Sequence, residues 1–396
     1  MKSKWTIKRI CEIGTVVGGS TPSTKRPDFY DGDIPWITPK DLSGYDERFI
    51  SKGERNITKK GFDSCSTQML PKGTVLFSSR APIGYVAIAS NELCTNQGFK
   101  SVIPNKDTDS EFLYYLLFFN RDRIANLGNG TTFREVSGSV MKSVEVSVPS
   151  KEIQNKIASI LSSYDEKIEN NNSIISKLFE LIEALYQENI LNKVCDKKIP
   201  DGWSIVPLSK VLSVNKRGLS PTYDKTGIPV INQRCIRKNI IIEEAIQYHD
   251  VNVKYDRECE YKPYDVLINS MGVGTLGRVS QVGILKNKML IHSCVTVLRA
   301  NNLYNQFILG AHMRHIQKEI EAMGEGTTGQ TSLSNKELGK KTIPLPPKDV
   351  QEKYGMMFQD CLDLISDRLL ENETLRNTRN ALIKKIFSEQ LTFEEE

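Results

Sequence analysis

Two kinds of hydrophobic pattern alternate along the chain. The first consists of short apolar runs, TVLFSS, YVAIA, DVLINS and MLIHSCVTVL, broken by Gly, Pro and Asn. Such runs predict strands bounded by turns. Among them lie two helical stretches, SEFLYYLLFFNRDRIANL (110–127) and LYNQFILGAHMRHIQKEIEAM (303–323). The second kind is long and helical. From Ser150 to about Asn192, apolar residues recur at Ile153, Ile157, Ile160, Tyr164, Ile168, Ile175, Leu178, Ile182 and Leu185. From Pro347 on, Val350, Tyr354, Met357, Cys361, Leu364, Leu375 and Leu382 do the same. Pro149 and Pro347 mark the helix entries. No Pro or Gly interrupts 151–192, and the second run holds only Gly355. Helices of forty-odd residues rise about 60 Å and predict a coiled coil. Asn170, Asn171, Asn172 and Arg368 interrupt the apolar spacing. Either these polar residues set register in the seam, or that segment faces solvent or a partner.

The pattern is written twice, with an offset near 197. WTIKRI (5–10) returns as WSIVPL (203–208), and IPWITPKDL (34–42) as IPVINQRCI (228–236). GTVLFSSRAPIGYVAI (73–88) returns, with an insertion, as YDVLINSMGVGTLGRVSQV (264–282). GNGTT (128–132) returns as GEGTT (324–328), and SVPSKEIQNKI (147–157) as PLPPKDVQEKY (344–354). Five segments in one order are an internal repeat. Each copy is a mixed globular stretch of about 145 residues followed by a long helix. The boundaries fall at 1–149, 150–195, 196–346 and 347–396.

Charge separates the parts. Residues 1–150 carry net +4 and residues 196–345 net +7, while 151–195 carry −2 and 346–396 −4. Basic globular units suit a polyanion such as DNA. Acidic helices fit protein better than phosphate. The composition, 39% hydrophobic and 26% charged, is that of a soluble chain. The N-terminus has no apolar signal region, and FLYYLLFF (112–119) is far short of the roughly 20 residues of a membrane span. Eight scattered cysteines without C-x-x-C suggest reduced thiols in the cytoplasm.

No active site emerges. Gly272, Gly274 and Gly277 spell G-x-G-x-x-G after the strand VLIN (266–269). A dinucleotide loop needs a helix next and an acid about 20 residues on. Here RVSQVGIL alternates like a strand, and LIHSCVTVLRA (290–300) has no acid. Only Gly84 in the first copy matches, to Gly277. A strand, a tight turn and a returning strand is the plainer expectation. There is no P-loop, and no Asn/Asp-Pro-Pro-aromatic tetrapeptide. His312 and His315 stand i,i+3 on a predicted helix and could share a metal, but no carboxylate pair supports that. Surface histidines are expected instead. Asp28, Asp31 and Asp33 hint at a nuclease cluster; an Asp-rich turn before IPWI is preferred.

Two globular modules alternate with two long helices. Each opens on Trp-x-Ile and closes on Gly-x-Gly-Thr-Thr and then Pro-x-x-x-Ile/Val-Gln. With GGSTPST (18–24), IPWITPKDL and VPSKEIQNKIASIL (148–161), this resembles the specificity subunit of type I restriction-modification enzymes over nearly the whole chain. Gly19-Ser20-Thr21-Pro22 matches the family's Gly-x-Thr-Pro-like element; Gly218-Leu219-Ser220-Pro221 departs from it. The resemblance implies a mixed α/β fold with two target recognition domains alternating with two antiparallel coiled-coil helices, as a pseudo-two-fold repeat. It implies that each domain reads half of a split, asymmetric site on double-stranded DNA, with the helices as spacer. It implies no catalytic centre, cofactor or metal here. Two modification subunits would bind S-adenosylmethionine and methylate adenine, and restriction subunits using ATP and Mg can join them.

Base reading needs Arg, Lys, Asn or Gln at groove edges, and phosphates need cations, hydroxyls and amides. The matched turns offer Lys40, Ser78, Ser79, Arg80, Thr131, Thr132 and Arg134 in the first unit. In the second they offer Gln233, Arg234, Arg237, Asn269, Ser270, Thr327, Thr328 and Gln330. The competing reading of Arg80 or Arg234 is a surface ion pair; that of Gly-Thr-Thr is a connector that only shapes its loop. Two other functions are weighed against a DNA reader. A fused nuclease or methyltransferase would bind its own cofactor. A coiled-coil adaptor would bind protein alone, without sensitivity to salt.

Overall fold

The computed structural model describes residues 5–128, 134–195, 199–242, 245–283, 285, 287–324, 332–388 and 391. It divides into unit one, residues 1–170 and 372–396, and unit two, residues 171–371. Each unit therefore holds one globular stretch and parts of both long helices.

In unit one the strand Thr6–Arg9 pairs antiparallel with Glu145–Val148, which joins the two ends of the globular stretch. A five-stranded sheet follows, in the order Gly14–Gly18, Lys100–Pro104, Val75–Phe77, Val86–Ala89 and Phe49–Ile50. A separate parallel pair joins Trp36–Ile37 to Cys94–Thr95. Unit two is built on the same plan. Ser204–Pro207 pairs with Thr342–Leu345. Its sheet runs Leu212–Arg217, Val295–Ala300, Val266–Asn269 and Val279–Ser280. The parallel pairing recurs between Ile228–Ile231 and Leu290–Ile291. The repeat read in the sequence is thus a repeat of strand pairings.

The helices obey the same correspondence. Ser110–Asn126 is capped by the Asp109 carboxylate, which accepts from the Phe112 N–H. Its counterpart is Gln306–His315, capped by Asn305 and continued by Gln317–Ala322. Short helices Gly138–Ser143 and Asn335–Lys340 are capped by Ser137 and Ser334. Each cap satisfies a backbone donor that the first turn leaves free.

The first long helix spans Lys151–Tyr186, widens into a π turn at Gln187–Leu191 and ends with Asn192–Cys195. The second spans Lys348–Phe387 without a break. In unit one Ile153, Ile157 and Leu161 share a core with Ile383, Ile386 and Phe387. In unit two Ile175, Ile182 and Tyr186 share one with Phe358, Leu362 and Ile365. In both units the start of one helix meets the later part of the other, so they pair antiparallel.

The seam differs from the expected one at three places. Ile160, Met357 and Leu364 are exposed, while Leu161, Phe358 and Ile365 are fully buried. Each is an adjacent apolar pair. Neighbours on a helix point about 100° apart, so only one of the two can face the partner. Asn171 is buried in unit two, where its amide donates to the Glu371 carboxylate at 3.0 Å. Arg368 pairs with the same carboxylate at 2.7 Å. These polar residues belong to the helix pairing.

One glutamine in each copy explains the closing Pro-x-x-x-Ile/Val-Gln. Buried Gln154 accepts from the Asp109 N–H at 2.9 Å and donates to the Asp107 and Pro149 carbonyls at 3.1 Å each. Gln351 accepts from the Asn305 N–H at 2.9 Å and donates to the Leu303 and Pro346 carbonyls. Each ties the entry of a long helix to the cap of the globular helix beneath it.

Candidate nucleic-acid interface

The turn that resembled a nucleotide loop is a hairpin. In unit one it joins Val75–Phe77 to Val86–Ala89; in unit two it joins Val266–Asn269 to Val279–Ser280. Gly84 and Gly277 close the turn with φ of 98° and 86°, donating to the Ser78 and Asn269 carbonyls. A side chain at Gly277 would also lie 2.8 Å from the Glu321 nitrogen. These glycines are required by left-handed backbone and close approach, as the expected strand–turn–strand demands.

The hairpin is locked to the segment before the short helix. The Val136 N–H donates to the Ser79 carbonyl, and the Leu333 N–H to the Ser270 carbonyl, both at 2.9 Å. Isolated bridges join Arg80 to Glu135 and Met271 to Ser332. This register makes Arg80 the counterpart of Met271, and Glu135 the counterpart of Ser332.

Four residues expected at DNA are fully buried: Ser78, Ser79, Asn269 and Ser270. Ser78 Oγ donates to the Pro82 carbonyl and accepts from the Tyr85 N–H, both at 2.8 Å. Ser79 Oγ donates to the Gly98 carbonyl at 3.1 Å. Asn269 Nδ2 donates to the Gln233 carbonyl at 2.9 Å, and Ser270 Oγ lies 2.6 Å from Thr296 Oγ1. They build the turn and present no side chain to a groove. The sequence could not separate a hydroxyl that faces solvent from one that satisfies a buried backbone.

The other expected residues among those described reach the surface wholly or in part, but in two ways. In unit one Lys40 pairs with Glu54 at 2.6 Å. Arg80 pairs with Glu135 at 3.0 Å, and Lys100 reaches the same carboxylate at 3.3 Å. Burial pushes the Glu135 carboxyl up, but hydrogen bonds from Arg80 and Lys100 outweigh it and hold it below the usual carboxylate range. Arg134 is exposed.

In unit two the two arginines expected at DNA, Arg234 and Arg237, form no ion pair among the described residues. Gln233 is half-buried and Arg234 exposed. Arg237 is half-buried, and its Nε has no hydrogen-bond partner among the described residues. Arg278 was missed from sequence. It stands beside Arg237 and donates to the Gly274 carbonyl at 2.9 Å. Burial, and then the Arg237 guanidinium, pull Arg278 below the ordinary arginine range; Glu321 opposes this more weakly. Among the described residues no carboxylate forms an ion pair with Arg234, Arg237 or Arg278. Thr131, Thr132, Thr327, Thr328 and Gln330 lie outside the described residues.

The candidate catalytic clusters resolve into other contacts. Asp28 pairs with Arg26 and Asp31 with Arg55 around the turn Pro27–Phe29. His312 is not a surface residue: it is buried, with Nδ1 2.6 Å from Tyr186 Oη. The helical period could not reveal this, because the first long helix supplies Tyr186. Burial, helped by His315, lowers the His312 pKa to about 4. His315 meets Glu183 at 2.5 Å. Among the described residues no group of three or more His, Cys, Asp or Glu could hold a metal ion. Among them, too, no helix is long and apolar enough to cross a membrane.

The sequence model of the family described as "Type I restriction modification DNA specificity domain" matches residues 2–180 and again 200–373. The chain belongs to this family. The two matches fall on the two copies of the repeat. The type I restriction enzyme MjaIX specificity subunit of Methanocaldococcus jannaschii is 35% identical over 410 residues, 99% of this chain and 94% of that one. The EcoR124I/EcoR124II specificity subunit of Escherichia coli is 25% identical over 187 residues, 46% of each chain. The crystal structure of a type I restriction-modification S subunit from M. genitalium superposes with a TM-score of 0.55 at 19% identity. It covers 97% of this chain and 96% of that one, a likeness of fold. The mixed α/β fold with two target recognition domains and two long antiparallel helices is the fold of this family.

Proposed function

We propose that the chain is the DNA-reading, non-catalytic subunit of a type I restriction-modification complex. Each globular unit reads one half of a split, asymmetric site on double-stranded DNA. The observation that carries this is the neighbouring Arg237 and Arg278, with exposed Arg234 close by in sequence to Arg237, none of them in an ion pair among the described residues, on a chain of the DNA-specificity family. Like charges gathered without counter-charge are stabilised by a polyanion. Two modification subunits bound to this chain supply S-adenosylmethionine and adenine methylation. Restriction subunits that use ATP and Mg complete the assembly where they are present. The chain itself binds none of these small molecules, and works in the cytoplasm, where its DNA is.

The test is to co-express the chain with its methyltransferase partner and map methylated adenines by single-molecule sequencing. The expected result is a motif of two unlike halves with a fixed gap, in which exchanging residues 1–150 changes one half only. An active, bound partner that methylates no such motif would sink the proposal and leave a protein adaptor in its place.

A further inference from the structure

The hairpin turn of unit two is longer than that of unit one, running from Asn269 to Arg278 against Ser78 to Tyr85. The extra length lies at its tip. Val273 is 73% exposed there. It stands between Gly272 and Gly274, whose φ values of 105° and 73° are left-handed. A side chain on Gly274 would meet nothing within 4 Å. The tip projects from the unit, and Arg278 ties it down through the Gly274 carbonyl.

The chemistry around the tip also changes. Met271 replaces Arg80, and Ser332 replaces Glu135. An exposed valine alone means little. An exposed valine on a projecting loop, with Arg278 and Arg237 at its base on segments joined by the Ser280 Oγ hydrogen bond to the Asn239 carbonyl at 3.0 Å, is an apolar point beside two cations. The major groove offers one apolar feature, the thymine 5-methyl group, between two rows of phosphates.

We infer that the loop Met271–Arg278 enters the major groove, with Val273 against a thymine methyl group and Arg278 and Arg237 on a flanking phosphate. This rests on the DNA-reading function and names the reader within it. Two guanidiniums that repel each other in the free protein share one phosphate in the complex. Unit one has no equivalent, because Arg80 and Lys100 are held by Glu135.

The experiment uses the full chain bound to its methyltransferase partner, as wild type, Val273→Ala and Arg278→Ala. Duplexes carry the mapped site with each thymine replaced in turn by uracil, which lacks only the methyl group. One replacement, in one half-site, is expected to weaken wild-type binding about four-fold, the burial of one methyl group. The Val273→Ala complex is expected to be indifferent to that replacement. Arg278→Ala is expected to weaken binding to every duplex and to make the slope of log affinity against log salt shallower by about 1. The inference is overturned if no thymine discriminates, if Val273→Ala keeps the same discrimination, or if the salt slope of Arg278→Ala equals that of wild type. A wild-type complex that selects no sequence at all would overturn the DNA-reading function itself, a separate outcome.

Discussion

The two globular units share a backbone plan and differ in what they do with their cations. In unit one Glu135 holds both Arg80 and Lys100, Glu54 holds Lys40, and buried Arg48 is bonded to Glu111 at 2.5 Å and Glu169 at 3.1 Å. In unit two Arg299, its side chain 11% exposed, is equally well paired, with Asp265 at 2.7 Å. The surface cations Arg234, Arg237 and Arg278 are not. Arg48 and Arg299 are each paired because a low-dielectric interior penalises a lone charge. Groups nearer the surface are penalised less, so the hairpin turn of one unit leaves its arginines out of ion pairs while that of the other pairs its cations. The repeat preserves the strand pairings and changes the ion pairs at the hairpin turn.

The largest expected effect tests the shared interior. Asp265→Ala leaves the partly buried Arg299 without its carboxylate, and unfolding in urea is expected to show a loss of about 3 kcal/mol. Next comes a difference between the units. His312 is the counterpart of Leu116, each seven residues past its helix cap, Asn305 and Asp109. The folded pKa of His312, about 4, lies below the ordinary histidine value near 6.5. The unfolded chain therefore binds the extra proton first. The stabilisation is complete above pH 6.5 and is lost as the pH falls towards 4, by about 3 kcal/mol in all. Replacing His312 by Leu, as in unit one, is expected to flatten that slope; an unchanged pH profile would refute the assignment.

A smaller effect should be equal in both units. Gln154→Ala and Gln351→Ala each leave a buried backbone N–H and two carbonyls without partners, and each is expected to cost about 2 kcal/mol in urea unfolding. A large loss in one unit only would break the claimed equivalence. The smallest effect concerns the surface. Glu135→Gln is expected to change stability by under about 1 kcal/mol, since the pair is partly exposed. Releasing Arg80 and Lys100 should steepen the salt dependence of DNA binding by about 1. The same release is expected on acidification. The Glu135 carboxyl is held below its unfolded value, so its contribution is present at neutral pH and disappears as the pH falls through the folded pKa.

The repeat, the strand and helix types and the two long helices were legible because each depends on local pattern. Short β-rich runs bounded by Gly, Pro and Asn marked the strands, and Pro149 and Pro347 the helix entries. Gly84 and Gly277 were legible for a similar reason: positive φ is a local demand. The seam was legible only to within one residue at Ile160, Met357 and Leu364, since adjacent apolar residues offer two faces. The matched turns were legible as turns, but which of their side chains are exposed was not. Ser78 and Asn269 read like polar contacts and are spent on the turn. Arg278 lay inside the quoted turn and was passed over, because nothing local distinguishes it from a paired arginine.

By itself the sequence determined the plan: two similar units, each a strand-rich stretch and a long helix, with glycine closing the matched hairpin turns where the backbone is left-handed. Backbone conformation and periodicity act between near neighbours, so the order of residues is enough to state them. Tertiary structure decided which polar groups are free. Pairing Arg80 with Glu135 requires residues 55 positions apart, and burying His312 against Tyr186 requires residues 126 apart. Whether a charge is neutralised or a hydroxyl is consumed depends on what the fold brings within about 3 Å, and that distance is not written in the order of the chain.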